Sequence, residues 1–143
     1  QDQLGCLQSA HKHLKKNGRL VVDVSLPPTA QSAAYSQGQF HFGHELLDAD
    51  GCVVQWRLGY TADLIQQTMN CTHILDRIDH EAIVHRDIIR FSQRFVYYRE
   101  MELLLKTAKY ELETVYGDYE FSPLCEHSQK MIFIARKIDM PAI

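Results

Sequence analysis

The chain has 143 residues, of which 45% are hydrophobic and 23% charged, enough for a buried core of ordinary soluble-protein composition. Its net charge of −3, with eight histidines counted neutral, provides no basic field for a phosphate backbone, so nucleic acid is not an expected partner. No apolar run reaches the roughly 20 residues that span a bilayer, and no N-terminal stretch reads as a signal peptide, so a cytoplasmic protein without a membrane partner is expected.

Leu4, Leu7, His11 and Leu14 recur at helical spacing, with Cys6 and Ala10 widening the face. Lys12, Lys15 and Lys16 complement the dipole near its end, and Asn17-Gly18 supplies a pair able to enter the left-handed conformation that ends helices. Arg19 to Val24 is short, β-branched and nearly continuously apolar, as in a strand covered on both faces of a parallel sheet; Pro27-Pro28 stops it. Residues 29–38 are polar and loop-like.

Phe40, Phe42, His44 and Leu46 then alternate with Gln39, His41, Gly43 and Glu45, and Asp48-Ala49-Asp50-Gly51 is turn chemistry. Val54, Trp56, Leu58 and Tyr60 alternate against Gln55, Arg57 and Gly59, so a hairpin is predicted over 39–60. A second hairpin is predicted with arms 68–78 and 82–97 around Asp79-His80-Glu81. Met101, Leu104, Leu105 and Ala108 mark a helical face starting near Arg99-Glu100. Tyr110 to Tyr116 reads as a strand, Gly117-Asp118 and Ser122-Pro123 as turns, and Met131 to Ala135 as a strand buried on both faces.

Two stretches together resemble class I S-adenosylmethionine-dependent methyltransferases. Leu14-Lys15-Lys16-Asn17-Gly18-Arg19-Leu20-Val21-Val22-Asp23-Val24 is similar to the family's "LkpGGrlvldv" segment, the helix leading into the fifth sheet strand. Arg94-Phe95 and Glu100 to Leu105 resemble its "Ry…El..LL" helix entry, and Val115-Tyr116-Gly117-Asp118-Tyr119 its "vyGdy". Ser128 to Lys137 resembles the last strand, "s.kmi.vark". Lys109 stands where the family's "aGF" has glycine, which requires a strained residue or a different turn.

The resemblance implies an α/β fold: the C-terminal portion of a Rossmann-like methyltransferase sheet with an antiparallel β-hairpin insertion. Residues 1–143 form a partial methyltransferase domain, with 1–28 as the helix and fifth-strand unit. Residues 29–97 are the β-rich lid insertion, and 98–143 the closing helix and terminal β-hairpin. S-adenosylmethionine is the implied cofactor of the complete domain only. Such a site needs a glycine-rich turn after a first strand, and none of the seven glycines here forms a GxG pair. The opening Gln1-Asp2-Gln3 likewise reads as the start of a truncated chain. The strand at 19–25 is expected beside and parallel to 130–137, which in turn pairs with 110–116. Its other edge would be open, to be covered by an N-terminal half on another chain, by a self-associated copy or by a rearranged insertion.

The implied substrate is a small-molecule methyl acceptor, with Tyr35, Trp56, Arg57, Tyr98 and Tyr116 as candidate wall residues. Against that role, residues such as Trp56, Tyr98 and Tyr116 more often serve as packing than as substrate contacts, and Arg57, facing opposite Trp56, reads equally as a solvated residue. A metal is not expected: His11-x-His13 has the wrong helical spacing, His41 and His44 fall on opposite faces of a regular strand, and Cys125-x-His127 has no second pair. GxSxG and SxxK are absent, and Asp76, Asp79 and Glu81 read as turn carboxylates. Cys6, Cys52, Cys71 and Cys125 are expected to be reduced and mostly buried. Two other readings compete with a methyltransferase fragment. One is a non-catalytic interaction or dimerisation module derived from that fold; the other is an unrelated α+β ligand-binding domain.

Overall fold

The computed structural model describes residues 2–29, 32 and 39–138. They fall into two compact units, one built from residues 1–27 and 95–143, the other from 28–94.

In the first unit α1 (Asp2–His13) leads into β1 (Arg19–Ser25), and α2 (Tyr98–Thr107) leads into β6 (Tyr110–Tyr116) and β7 (Lys130–Lys137). The strands form a three-stranded sheet in the order β1-β7-β6. Val22 lies opposite Phe133 and Val21 opposite Ile134, so the expected neighbours do pair, but they run antiparallel. The expectation of a parallel pair is therefore corrected. Residues 117–129 return the chain from β6 without a helix, and β7 comes back between two strands that it opposes in direction.

The helices cover one sheet face. Leu105 and Met101 of α2, Leu7 of α1, Phe133, Met131 and Ala135 of β7 and Tyr110 of β6 form a single buried cluster. Leu105, Phe133 and Ala135 have no exposed surface, and burying a large apolar side chain such as Leu105 or Phe133 contributes roughly 1.5–3 kcal/mol. Phe95 and Val96, read in the sequence as the end of the insertion, are buried in this unit. β1 alternates between exposed and half-buried residues and is not covered on both faces; Val21 is 60% exposed. The Tyr110 hydroxyl donates to the Leu7 carbonyl (3.2 Å). The end of α1 is held by a residue the spacing did not single out: Lys137 Nζ donates to the carbonyls of His11 (2.8 Å) and Leu14 (2.9 Å). Asn17 takes the left-handed φ of 58° at the end of this segment, and Lys109 takes 65° after α2.

The second unit is a four-stranded antiparallel meander of β2 (His41–Leu47), β3 (Val53–Asp63), β4 (Thr68–Ile78) and β5 (Val84–Arg94). The two predicted hairpins are continuous, because β3 and β4 also pair over their whole length. Each turn starts on an aspartate that accepts backbone N–H groups. Asp48 takes Asp50 and Cys52, Asp63 takes Ile65 and Gln66, and Asp79 takes Glu81 and Ile83. Gly51 supplies the positive φ of 78° in the first turn. A register shift between Phe42 and His44 lets Gly43 bulge, where an added Cβ would crowd the Trp56 ring. The bulge sets His44 opposite Trp56 and His41 opposite Leu58, so these histidines share a face, contrary to regular alternation.

All four cysteines are unpaired. Cys52 and Cys71 are buried, whereas Cys6 and Cys125 are exposed, so the expectation of mostly buried thiols holds for only two. Among the described residues no helix is long and apolar enough to cross a membrane.

Candidate functional site

Chemistry-bearing side chains gather at one end of the first unit's sheet. Asp23, near the carboxyl end of β1, accepts a hydrogen bond from the Tyr119 hydroxyl (2.5 Å), which accepts one from Lys130 Nζ (2.5 Å). Lys130 Nζ also lies 3.5 Å from the Asp23 carboxylate. The Tyr119 hydroxyl, then Asp23, holds the Lys130 ammonium above its usual range. The loop after β6 and the start of β7 form an open pocket of about 490 Å³ lined by Gly117, Asp118, Tyr119, Cys125, His127 and Lys130. Cys125 Sγ stands 3.6 Å from Ser128 Oγ, and that hydroxyl, then the His127 amide, lowers its thiol below the usual range. The Asp118 carboxylate is lowered by the Ser122 amide, then its side chain. Sequence reasoning missed Asp23, Tyr119 and Lys130 as a group. Asp23 and Lys130 lie 107 positions apart, and only the β1–β7 register joins them.

The five residues selected from the sequence are dispersed. Tyr35 lies outside the described residues. Trp56 is half-buried on β3 between two imidazoles, with ring centroids 5.6 Å from His44 and 5.2 Å from His73; Phe91 continues the row 5.1 Å beyond His73. Arg57, its neighbour, faces the other side of the sheet.

Arg57 is bonded to Asp76 and is not simply solvated. Asp76 is 3% exposed and takes a second guanidinium from Arg86, at 2.6 and 2.9 Å. It is therefore a buried ion-pair centre in mid-strand, which corrects its reading as a turn carboxylate. Asp79 does form a turn, and its carboxylate is lowered by the Ile83 amide, then the Glu81 amide.

Tyr98 opens α2 and stacks on Phe133, with centroids 5.8 Å apart and the Arg99 guanidinium 5.3 Å from its ring. Tyr116 ends β6 edge-on to Phe121 at 5.2 Å. Among the described residues no three His, Cys, Asp or Glu side chains gather as a metal site.

A nucleotide-like donor requires backbone amides presented by a glycine turn between a strand and a helix. β1 instead runs into Leu26-Pro27-Pro28, where prolines offer no N–H. Gly117 follows β6 but is closed off by Ser128, whose Oγ an added Cβ would strike. The described residues do not fit that group.

No protein-family model and no curated protein matches the sequence. Solved structures do match. The CcbJ methyltransferase from Streptomyces caelestis superposes with a TM-score of 0.74 at 20% identity, over 96% of this chain and 53% of that one. DesVI from Streptomyces venezuelae gives 0.72 at 13%, over 96% and 51%. The sugar N-methyltransferase KedS8 from Streptoalloteichus gives 0.62 at 15%, over 95% and 49%. The fold is that of the C-terminal half of an S-adenosylmethionine-dependent methyltransferase. The chain spans about half the length of these solved methyltransferases. The antiparallel β1–β7 pair agrees with the unrelated α+β alternative on that single point. The superposition over nearly the whole chain, insertion included, does not.

Proposed function

We propose that the chain is the acceptor-side part of a methyltransferase acting on a small molecule, with S-adenosylmethionine held by an N-terminal half that these residues do not supply. The observation that carries this reading is the coverage: about 96% of this chain corresponds to about 53% of the CcbJ methyltransferase. The small-molecule acceptor is supported by KedS8, a sugar N-methyltransferase of the same fold. Methyl transfer is an in-line displacement in which alignment supplies around 7–11 kcal/mol, so walls that orient the acceptor without a donor site do not turn over. Tyr35, Trp56, Arg57, Tyr98 and Tyr116 are each proposed singly as acceptor contacts, Trp56 and Arg57 as alternatives because they project from opposite faces of β3. Calorimetric titration of this chain with S-adenosylmethionine or S-adenosylhomocysteine tests the assignment. No saturable heat is expected, and micromolar binding by the chain alone overturns the missing-half proposal.

One observation favours a second reading, a non-catalytic interaction module. β1 hydrogen-bonds only to β7 among the described strands, so its outer edge of backbone N–H and C=O groups has no strand partner among them. We propose that an N-terminal half covers this edge in the complete enzyme, and that a second copy covers it when the chain is alone. Sedimentation of a stable monomer removes the case for self-association.

A further inference from the structure

The two faces of the second unit's sheet differ in chemistry. Side chains alternate along a strand and share a face with those opposite them on the next strand, so the register assigns each one to a face. Arg57, Arg86, Arg90 and Arg94 lie on one face with Glu45, Asp63 and Asp76. Histidines aside, the strands place two charged side chains on the other face, that of Trp56. These are Arg77 in an end row, held by Asp48 and Asp50, and Asp87 on the edge strand β5.

The middle of the Trp56 face is apolar. The rings of His44, Trp56, His73 and Phe91 form a diagonal row across all four strands, with Leu58, Tyr60, Leu75 and Ile89 beside it. Leu46, Ile89 and Phe91 are exposed at its margins. An apolar centre with charge confined to the rim is the composition of a protein interface. Four strands about 4.8 Å apart and nine residues long present roughly 600 Å² in projection, close to the roughly 800 Å² per partner of a standard interface.

We propose that this face packs against the same face of a second copy, making a two-fold β-sandwich. Sheets packed face to face keep their strands within about 30° of one another. With the two-fold axis close to the strand direction each row meets itself reversed, β2 over the partner's β5 and β3 over the partner's β4. Trp56 then faces the partner's Leu75, and Tyr60 the partner's Cys71, large side chains against smaller ones. His44 faces the partner's Asp87, an imidazole N–H donor against the one carboxylate that the strands place on this face. An axis across the strands through the row of Leu58 and His73 instead sets Asp87 over the partner's Phe91, where the carboxylate finds no donor. Arg86, Arg90 and Arg94 along β5 oppose pairing through that edge, so association through this unit closes at two copies. The dimer does not depend on the methyl-transfer reading. It assigns Trp56 to packing, which leaves Arg57 as the acceptor contact that β3 can offer.

Trp56 is the only tryptophan of the chain, so its emission reports this face and not the edge of β1. The test is sedimentation of the 143-residue chain through the micromolar range, with Trp56 emission read at each concentration. A dimer with shielded emission is expected. Ile89→Glu places an unpaired carboxylate in the interface twice and is expected to weaken the dimer at least about a hundredfold, with emission shifted to the red. Phe91→Glu, also on the exposed margin, is expected to do the same and decides the matter should the first variant not fold. Ile88→Glu is the control: Ile88 is 46% exposed against 50% for Ile89, on the same strand and the opposite face, and both readouts are expected to stay unchanged. The proposal is overturned by a monomer at every concentration, and shielded emission from that monomer assigns the cover to the chain's own segments. Wild-type emission in both Ile89→Glu and Phe91→Glu overturns it, as does dissociation by Ile88→Glu equal to that by Ile89→Glu. Association that survives Ile89→Glu while its emission shifts to the red supports this interface and places the remaining contact at β1.

Discussion

Lys109 is where this chain departs from the methyltransferase pattern, and the structure turns the departure into a stability prediction. α2 ends at Thr107, Ala108 caps it, and the Lys109 amide donates to the Lys106 carbonyl at 3.1 Å with φ at 65°. This is the position just past a helix end that glycine ordinarily fills. A non-glycine residue in the left-handed region costs about 1–2 kcal/mol, and glycine loses roughly 0.5–1 kcal/mol more backbone entropy on folding. The side chain of Lys109 is exposed and makes no hydrogen bond or ion pair among the described residues, so none there offsets the exchange. Lys109→Gly is therefore expected to stabilise the chain by about 0.5–1 kcal/mol, or a melting shift of about 2–4 °C at this size. Lys109→Ala keeps the Cβ and is expected to change stability by less than about 0.5 kcal/mol. Thermal and urea unfolding of the three proteins settle the matter. A destabilised glycine variant, or an alanine variant as stable as the glycine one, refutes the argument from backbone strain.

Asp76→Asn leaves Arg57 and Arg86 without their shared carboxylate. Because these arginines keep 36% and 50% of their side-chain surface exposed, the loss is expected at roughly 2–3 kcal/mol, below that of a fully buried pair, in urea unfolding. Tyr110→Phe removes the buried hydroxyl that donates to Leu7 and leaves that carbonyl short of one donor. About 1 kcal/mol of destabilisation is expected, with faster amide exchange in α1 than in α2. Asp48 (by Arg77, then the Cys52 amide), Asp79 (by the Ile83 amide) and Glu113 (by Arg19) all have carboxyl groups lowered in the folded chain. The unfolded chain therefore binds more protons in acid. Their contribution is fully present above the unfolded carboxylate range near pH 4 and lost as pH falls through the lower folded values. Asp79→Ala is expected to make the acid limb of a stability–pH curve shallower, and an unchanged slope counts against the assignment.

Much of the fold is legible because local chemistry coincides with the final structure. Tyr110 to Tyr116 stops at the residues expected, and Met101, Leu105 and Ala108 are buried as their spacing requires. The turn at 48–51 announces itself through Asp48 and Gly51. The turn after Asp63 does not: Leu64-Ile65-Gln66-Gln67 contains neither Gly nor Pro, and its φ of 53° falls on Gln67. That is why two hairpins are read where there is one meander. The bulge at Gly43 reverses the faces of everything before it in β2, and alternation alone cannot register one extra residue. Asp76 looks like its neighbours Asp79 and Glu81 in sequence. Only the register that brings Arg57 and Arg86 to it marks it as different. Asp23, Tyr119 and Lys130 are invisible for the same reason.

The direction of β7 follows from the connections of the chain and not from its apolar pattern. An apolar run covered on both faces says that a strand is interior, and it says nothing about which way the strand points. Connection geometry does. A parallel return needs a crossover, usually a helix, whereas residues 117–129 are spent on turns at Asp118, Pro123 and Ser128. β6 and β7 must then be antiparallel. Between β1 and β6 the chain passes through the meander and α2, a connection long enough to let those two strands run the same way. β7, inserted between them, opposes both. The antiparallel pair thus follows from the connections of the chain. The chain that carries this pair superposes on the CcbJ methyltransferase and DesVI with TM-scores of 0.74 and 0.72, so the pair does not set its fold apart from theirs.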